Sequence, residues 1–230
     1  MRIRRLWIGS LAAVAALLSA TAGTARASAG SPVAIWSMDE PAGSRTMHDS
    51  SGHGLDGRIG DETGVGSGHY RFDRLEPDTP PIHPGHLVTV PDSRRLDPGD
   101  GDFAITMRLR TIYQFGNIIQ KGQATVPGGS WKLQIPNGHV QCWFRGSAGS
   151  LLVTAPRKIN DGDWHVVRCA RTDDGVSLEI DGDTVAEKYG ATGWIANSWP
   201  LSIGGKTECD QRTVGCDYYA GDLDYVAIER

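Results

Sequence analysis

The chain has 230 residues and carries 23 lysines and arginines against 27 aspartates and glutamates, a formal net charge of −4. That acidic balance argues against nucleic acid as a partner, and 30 glycines with 12 prolines in no repeat period suit a turn-dense β protein rather than a disordered one. Four cysteines, Cys142, Cys169, Cys209 and Cys216, favour two disulfides over free thiols or zinc ligation, in any of three connectivities.

Met1 to Arg5 holds three arginines, Leu6 to Ala20 is uncharged and apolar, and Ala25-Arg26-Ala27 reads as a small-x-small cleavage site. Together they predict a secretory signal peptide over 1–27, too short in its apolar run to span a bilayer, leaving one domain over 28–230. Loss of Arg2, Arg4, Arg5 and Arg26 takes the net charge of that domain to −8. No later stretch is long and apolar enough to enter a membrane.

Ala34, Trp36 and Met38 alternate with their neighbours as a first strand. The following thirty residues are rich in glycine and polar side chains, predicting rim loops with short strands such as Tyr70-Arg71-Phe72. Arg74 to His86 carries Pro77, Pro80, Pro81 and Pro84, a stiffened connection. Leu87 to Val90 resumes as a strand. Phe103, Ile105, Met107, Leu109 and Thr111 give the cleanest period of two in the chain. Trp131 to Ile135 and Val140 to Phe144 repeat it on either side of Asn137-Gly138, a hairpin signal. Trp164 to Arg171, Val176 to Ile180 and Thr184 to Glu187 form three successive strands, the last two joined at Asp181-Gly182. Leu151 to Thr154, Leu201 to Ile203 and Asp222 to Ile228 complete about a dozen strands. No sustained helical period occurs, so the fold class is all-β.

Within this pattern Asp161-Gly162-Asp163-Trp164-His165-Val166-Val167, followed by Leu178-Glu179-Ile180-Asp181-Gly182, resembles the laminin G-like branch of the concanavalin A-like lectin and glucanase superfamily. Ile35 to Glu40 with Asp49-Ser50-Ser51-Gly52, Val90 to Ser93, Phe103 to Met107, Ile119 to Gly122 and Gly221 to Val226 match the family's motifs in the family's order. The resemblance implies a jelly-roll sandwich of two antiparallel sheets. It also implies the pairing Cys142–Cys169, on two strands of the sandwich body, with Cys209–Cys216 as the other link.

The same resemblance implies one structural calcium where the first and last strands meet. Asp224 matches the last-strand ligand, with Asp39 and Asp49 from the N-terminal loops and carbonyls near Gly52 or Gly54. Glu179-Ile180-Asp181-Gly182-Asp183 looks superficially like the catalytic strand of laminarinase-type glycosidases, but Thr184 stands where a second glutamate is needed, so no catalytic residue is assigned. His165 is expected to be packed and hydrogen-bonded. If Phe103, Ile105 and Met107 face the core, Arg108 and Arg110 share an outer face, as do Gln141, Trp143 and Arg145. Arg108, Arg110, Trp143 and Arg145 are therefore the candidate ligand residues, suited to an acidic or hydroxyl-rich glycan. Trp194 and Trp199 read as core anchors, with a sugar platform as the alternative.

The resulting expectation is a secreted, non-catalytic recognition module for extracellular carbohydrate with a structural calcium. The alternatives are a protein-binding or adhesion module at the cell surface and a diverged glycoside hydrolase.

Overall fold

The computed structural model describes residues 31–75, 83–123, 126–211 and 214–230. The expected signal peptide lies outside them, as do Pro77, Pro80 and Pro81.

Along the chain come β1 (Pro32–Trp36), β2 (Thr46–Met47), β3 (Gly57–Ile59), β4 (Thr63–Gly66), β5 (His69–Phe72) and β6 (Val88–Val90). The central run is β7 (Phe103–Arg110), β8 (Phe115–Lys121), β9 (Ser130–Pro136), β10 (His139–Gly146), β11 (Gly149–Lys158) and β12 (His165–Arg171). Then follow β13 (Gly175–Ile180), β14 (Asp183–Tyr189), β15 (Leu201–Ile203), β16 (Asp210–Gln211), β17 (Val214–Gly215) and β18 (Gly221–Glu229).

Two eight-stranded antiparallel sheets pack face to face. One runs β14-β13-β12-β7-β18-β5-β4 with β1 also on β18, the other β11-β10-β9-β8-β15-β6-β3-β2. β16 and β17 form a separate hairpin. This is the expected all-β jelly-roll sandwich, with the first and last long strands paired through Ala34 opposite Ile228 and Trp36 opposite Val226.

The period of two becomes the core. Phe103, Ile105, Met107 and Leu109 of β7 meet Trp131, Leu133 and Ile135 of β9 and Val140, Cys142 and Phe144 of β10 in one buried cluster. Asn137 and Gly138 adopt φ of 54° and 83°, and Asp181 and Gly182 adopt 56° and 88°, the left-handed pair that a type I′ hairpin requires. Cys142 is bonded to Cys169 and Cys209 to Cys216, the pairing the resemblance implied. The first bond joins β10 to β12 through the core, linking the two sheets.

The N-terminal rim is more regular than its composition suggests, because polar side chains order it. The Asp49 carboxylate accepts hydrogen bonds from the backbone of Ile35 (3.0 Å), Ser51 (2.9 Å) and Leu55 (3.0 Å) and from the Ser51 hydroxyl (2.8 Å). Burial pushes its pKa up, but those four donors outweigh burial and hold it below the usual value. Glu40, buried, accepts from the His48 amide at 2.8 Å and from the Tyr70 hydroxyl.

Candidate functional site

The four expected ligand residues do not share a site. Arg108 and Arg110 lie on the outer face of the β7 sheet, whereas Trp143 and Arg145 lie on the outer face of the β10 sheet, across the sandwich. Each already has intramolecular work. Arg108 pairs with Asp224, and Arg110 donates from Nε and Nη2 to Asp222 at 2.9 and 2.6 Å. Both guanidinium groups stack on the Trp164 ring, 4.4 and 4.7 Å from its centre. Trp143 donates to the Ser150 hydroxyl and carries the Lys132 ammonium 4.7 Å above its ring. Arg145 ties down a loop through the carbonyls of Gln123 (2.9 Å) and Val126 (3.1 Å).

The expected calcium ligands have other partners or face solvent. Asp49 is committed to the backbone as described, Asp224 faces Arg108, and Asp39 is exposed. Among the described residues no three His, Cys, Asp or Glu side chains gather as a metal site. Asp49 and Asp224 therefore already have partners where the expectation assigns them to the ion.

A further candidate site lies at Trp194. Trp194 is 55% exposed. It stands over a cavity of about 680 Å³ lined by Asp92, Arg94, Asp97, Asn197, Ser198 and Arg230, among others. The loop bearing it is held by backbone on three sides. Ser147 donates its amide to the Trp194 carbonyl (3.1 Å) and accepts the Trp194 amide on its hydroxyl (3.0 Å). Gly99 and Ile195 exchange two hydrogen bonds of 2.9 Å, and Ala196 donates to the Gly128 carbonyl at 2.8 Å.

This close docking explains the glycine at 146, where a β-carbon would lie 2.5 Å from the Thr192 carbonyl and 2.7 Å from that of Trp194. Arg171, buried, completes the clamp by donating to the carbonyls of Gly99 (3.1 Å), Gly101 and Gly193 (3.1 Å) and to the Thr192 hydroxyl (3.2 Å). At the cavity floor the fully buried Lys121 ammonium meets Asp97 (2.7 Å), Asp92 (2.8 Å) and the Asn197 carbonyl (2.6 Å).

This arrangement offers an indole face beside carboxylates, an amide and guanidinium groups, with the Trp194 loop and the Asp92, Asp97 and Asn197 cluster held in place. Such a surface can stack on the C–H face of a sugar ring and hydrogen-bond its hydroxyls.

His165 and Asp181 are structural. His165 Nδ1 lies 2.8 Å from Asp181 and Nε2 lies 3.1 Å from Asp161, while Asp181 also accepts the Val166 amide and Arg157. The hairpin aspartate of the glycosidase-like strand is thus occupied in holding β12. Burial pushes the His165 pKa down, but hydrogen bonds to Asp181 and Asp161 outweigh it and raise it above the ordinary 6.5. Asp181 is raised by burial and lowered more by His165, Val166 and Arg157, so it falls below the ordinary 3.8; the Asp163 amide and His165 hold Asp161 below it too.

The stability from this clamp is therefore full between about pH 4 and 6.5. It is lost above 6.5 as pH rises through the folded His165 value, and below 3.8 as pH falls through the folded aspartate values. The substitution His165→Ala is expected to cost about 1–3 kcal/mol at pH 6 and less at pH 9. Urea titrations at both pH values check this; an equal cost at the two would contradict it.

No curated protein matches the chain. Among solved structures, the binding domain of Paraclostridial Mosquitocidal Protein 1 is 14% identical, covering 86% of this chain and 48% of that one, at a TM-score of 0.62. Botulinum neurotoxin type C, described as entering cells through interaction with two ganglioside molecules, is 11% identical over 86% of this chain and 47% of its own, at 0.62. Domain 4 of AbnA, a GH43 extracellular arabinanase from Geobacillus stearothermophilus in complex with arabinotriose, is 14% identical over 88% and 93%, at 0.60. The chain spans about half the length of the two toxin chains, and these likenesses show a shared fold. Residues 109–227, just over half of the chain, match the laminin G domain, and the chain belongs to that family.

Proposed function

We propose that the chain is an exported, non-catalytic module that recognises a neutral glycan in the cavity beneath Trp194. The observation that carries this reading is exposure combined with rigidity. An indole left 55% exposed gives up favourable burial, yet its loop is fixed by Ser147, Gly99, Gly128 and Arg171, so a ligand would have little ordering cost to overcome. The polar lining suits hydroxyl groups, with Asp92 and Asn197 as acceptors and Arg94 and Ser198 as donors.

Membership of a family of binding modules supports recognition over catalysis, as does the structural use of Asp181. The arabinotriose complex and the ganglioside interaction described for two fold neighbours support a sugar as the ligand class. Two disulfides support export. Among the described residues no helix is long and apolar enough to cross a membrane.

Electrophoresis through gels carrying neutral polysaccharides, with calcium or with chelator, tests the reading while the same mixtures are assayed for new reducing ends. Retardation without products is expected. Trp194→Ala should weaken it about thirtyfold, the roughly 2 kcal/mol of an aromatic hot spot. New reducing ends would indicate a hydrolase, and no retardation by any sugar would move the weight to protein recognition. Retardation lost only in chelator would bring calcium into the site.

A further inference from the structure

Tyr189 is the most exposed large apolar side chain among the described residues, at 77%, and it shares a loop with Trp194, itself 55% exposed. It closes β14 opposite Gly175, and its hydroxyl reaches only Glu187, at 3.5 Å. Among the described residues no ring and no cation is stacked on either side chain. Both therefore keep bare faces in water, at a standing cost in unburied area.

The segment between them crosses one end of a sheet. β14, β13, β12 and β7 are neighbours in that order, and Tyr189, Gly175, Arg171 and Phe103 mark the same end of all four. Ile195, next to Trp194, pairs with Gly99 just ahead of β7. Three strand spacings, about 14 Å, thus lie between Tyr189 and the Trp194 end of the segment.

That segment is both fixed and low. Gly190 donates its amide to the Asp174 carbonyl (2.9 Å), the Thr192 carbonyl accepts from the Ala148 amide (2.9 Å), and Arg171 holds the Thr192 hydroxyl and the Gly193 carbonyl. Gly193 has φ of 70°, and a β-carbon there would lie 2.6 Å from the Ser147 hydroxyl. The exposed residues, Gly190 and Ala191 with Ala148 and Gly149 of the turn alongside, rise no higher than a β-carbon. Thr192, the one larger side chain of the segment, is buried. The amides of Ala191 and Gly193 have no hydrogen-bond partner among the described residues.

On the glycan reading of the Trp194 cavity, on which this rests, we infer that the site continues along this ledge and takes a linear chain of several neutral sugar units, one beside Trp194 and another on the Tyr189 ring. Both rings can lie against the C–H faces of sugars. The small residues between them let the intervening units pass, and the Ala191 and Gly193 amides donate to their hydroxyls. A tyrosine on fixed backbone has only two χ angles to settle, so ordering it costs little. Tyr189 thereby sets the preferred chain length, because a single sugar beside Trp194 does not reach it.

The test is calorimetric titration of the full domain with dimers and hexamers cut from arabinan, galactan, xylan and dextran. In a series that binds, the hexamer should bind at least about tenfold more tightly than the dimer. Tyr189→Ala should remove most of that gain and Tyr189→Phe should keep it, since stacking and not the hydroxyl supplies it, whereas Trp194→Ala should weaken dimer and hexamer alike. The exposed position of Tyr189 keeps both of its variants folded. A gain that survives Tyr189→Ala, or equal binding of dimer and hexamer that Trp194→Ala weakens, would overturn the ledge and leave the Trp194 site standing. Binding untouched by Trp194→Ala, or no binding in any series, would overturn both.

Discussion

Exchanging Lys121 for methionine is expected to cost about 3–5 kcal/mol of folding stability, lowering the melting temperature by about 10 °C. Its ammonium is fully buried at the end of β8 and is the only cation among the described residues placed against Asp97, itself nearly buried. Methionine keeps the length and apolar stem, so the loss reports an uncompensated carboxylate rather than a cavity. The pair itself need not be worth that much. Lys121→Met combined with Asp97→Asn should recover most of the loss, because removing both charges removes the desolvation debt of each. Chemical denaturation of the four proteins in the cycle checks this; a single-variant cost below about 1 kcal/mol would contradict it. Lys121 also orients the cavity floor through Asp92 and the Asn197 carbonyl, so glycan binding should weaken in the single variant even where it remains folded.

Removing the Cys142–Cys169 bond by alanine at both positions is expected to cost about 3.5 kcal/mol from loop-closure entropy over a separation of 27 residues. The Cys209–Cys216 bond closes only 7 residues, and its removal should cost about 2.4 kcal/mol on the same scale. The inter-sheet bond has a second consequence. Both of its cysteines lie in the closed core, so their loss leaves the two sheets held by packing alone at that point. Urea unfolding of the two double variants should rank them in this order. A larger loss for the Cys209–Cys216 variant would show that loop length does not govern these bonds.

The long strands were legible because side-chain period is a local property. Phe103 to Leu109 alternates in the sequence as it does in the sheet, and Asn137-Gly138 and Asp181-Gly182 carry their turn geometry in two residues. β2, β3 and β4 were hidden, being two to four residues long and ordered by distant groups such as Asp49 and the Glu40–Tyr70 contact. The expected ligand face failed for a similar reason. Arg108 and Arg110 look unoccupied on one strand, and their partners Asp224 and Asp222 stand 116 and 112 residues away. In the sequence Trp194 reads as a core anchor before a sugar platform, because tryptophan is usually buried. The contrary signal was its setting, between Gly190-Ala191-Thr192-Gly193 and Ala196-Asn197-Ser198, outside any period-two run that could bury it.

The central claim is that Trp194 is the contact point for a neutral glycan. Its most direct test follows the tryptophan indole N–H resonances of the isotopically labelled domain during titration with a neutral oligosaccharide that retards it in gels. The Trp194 resonance should shift saturably while those of Trp36 and Trp131, buried in the core, stay fixed. A titration that saturates with Trp194 unmoved, and Trp143 or Trp164 shifting instead, would contradict the claim and relocate the site to the outer face of a sheet.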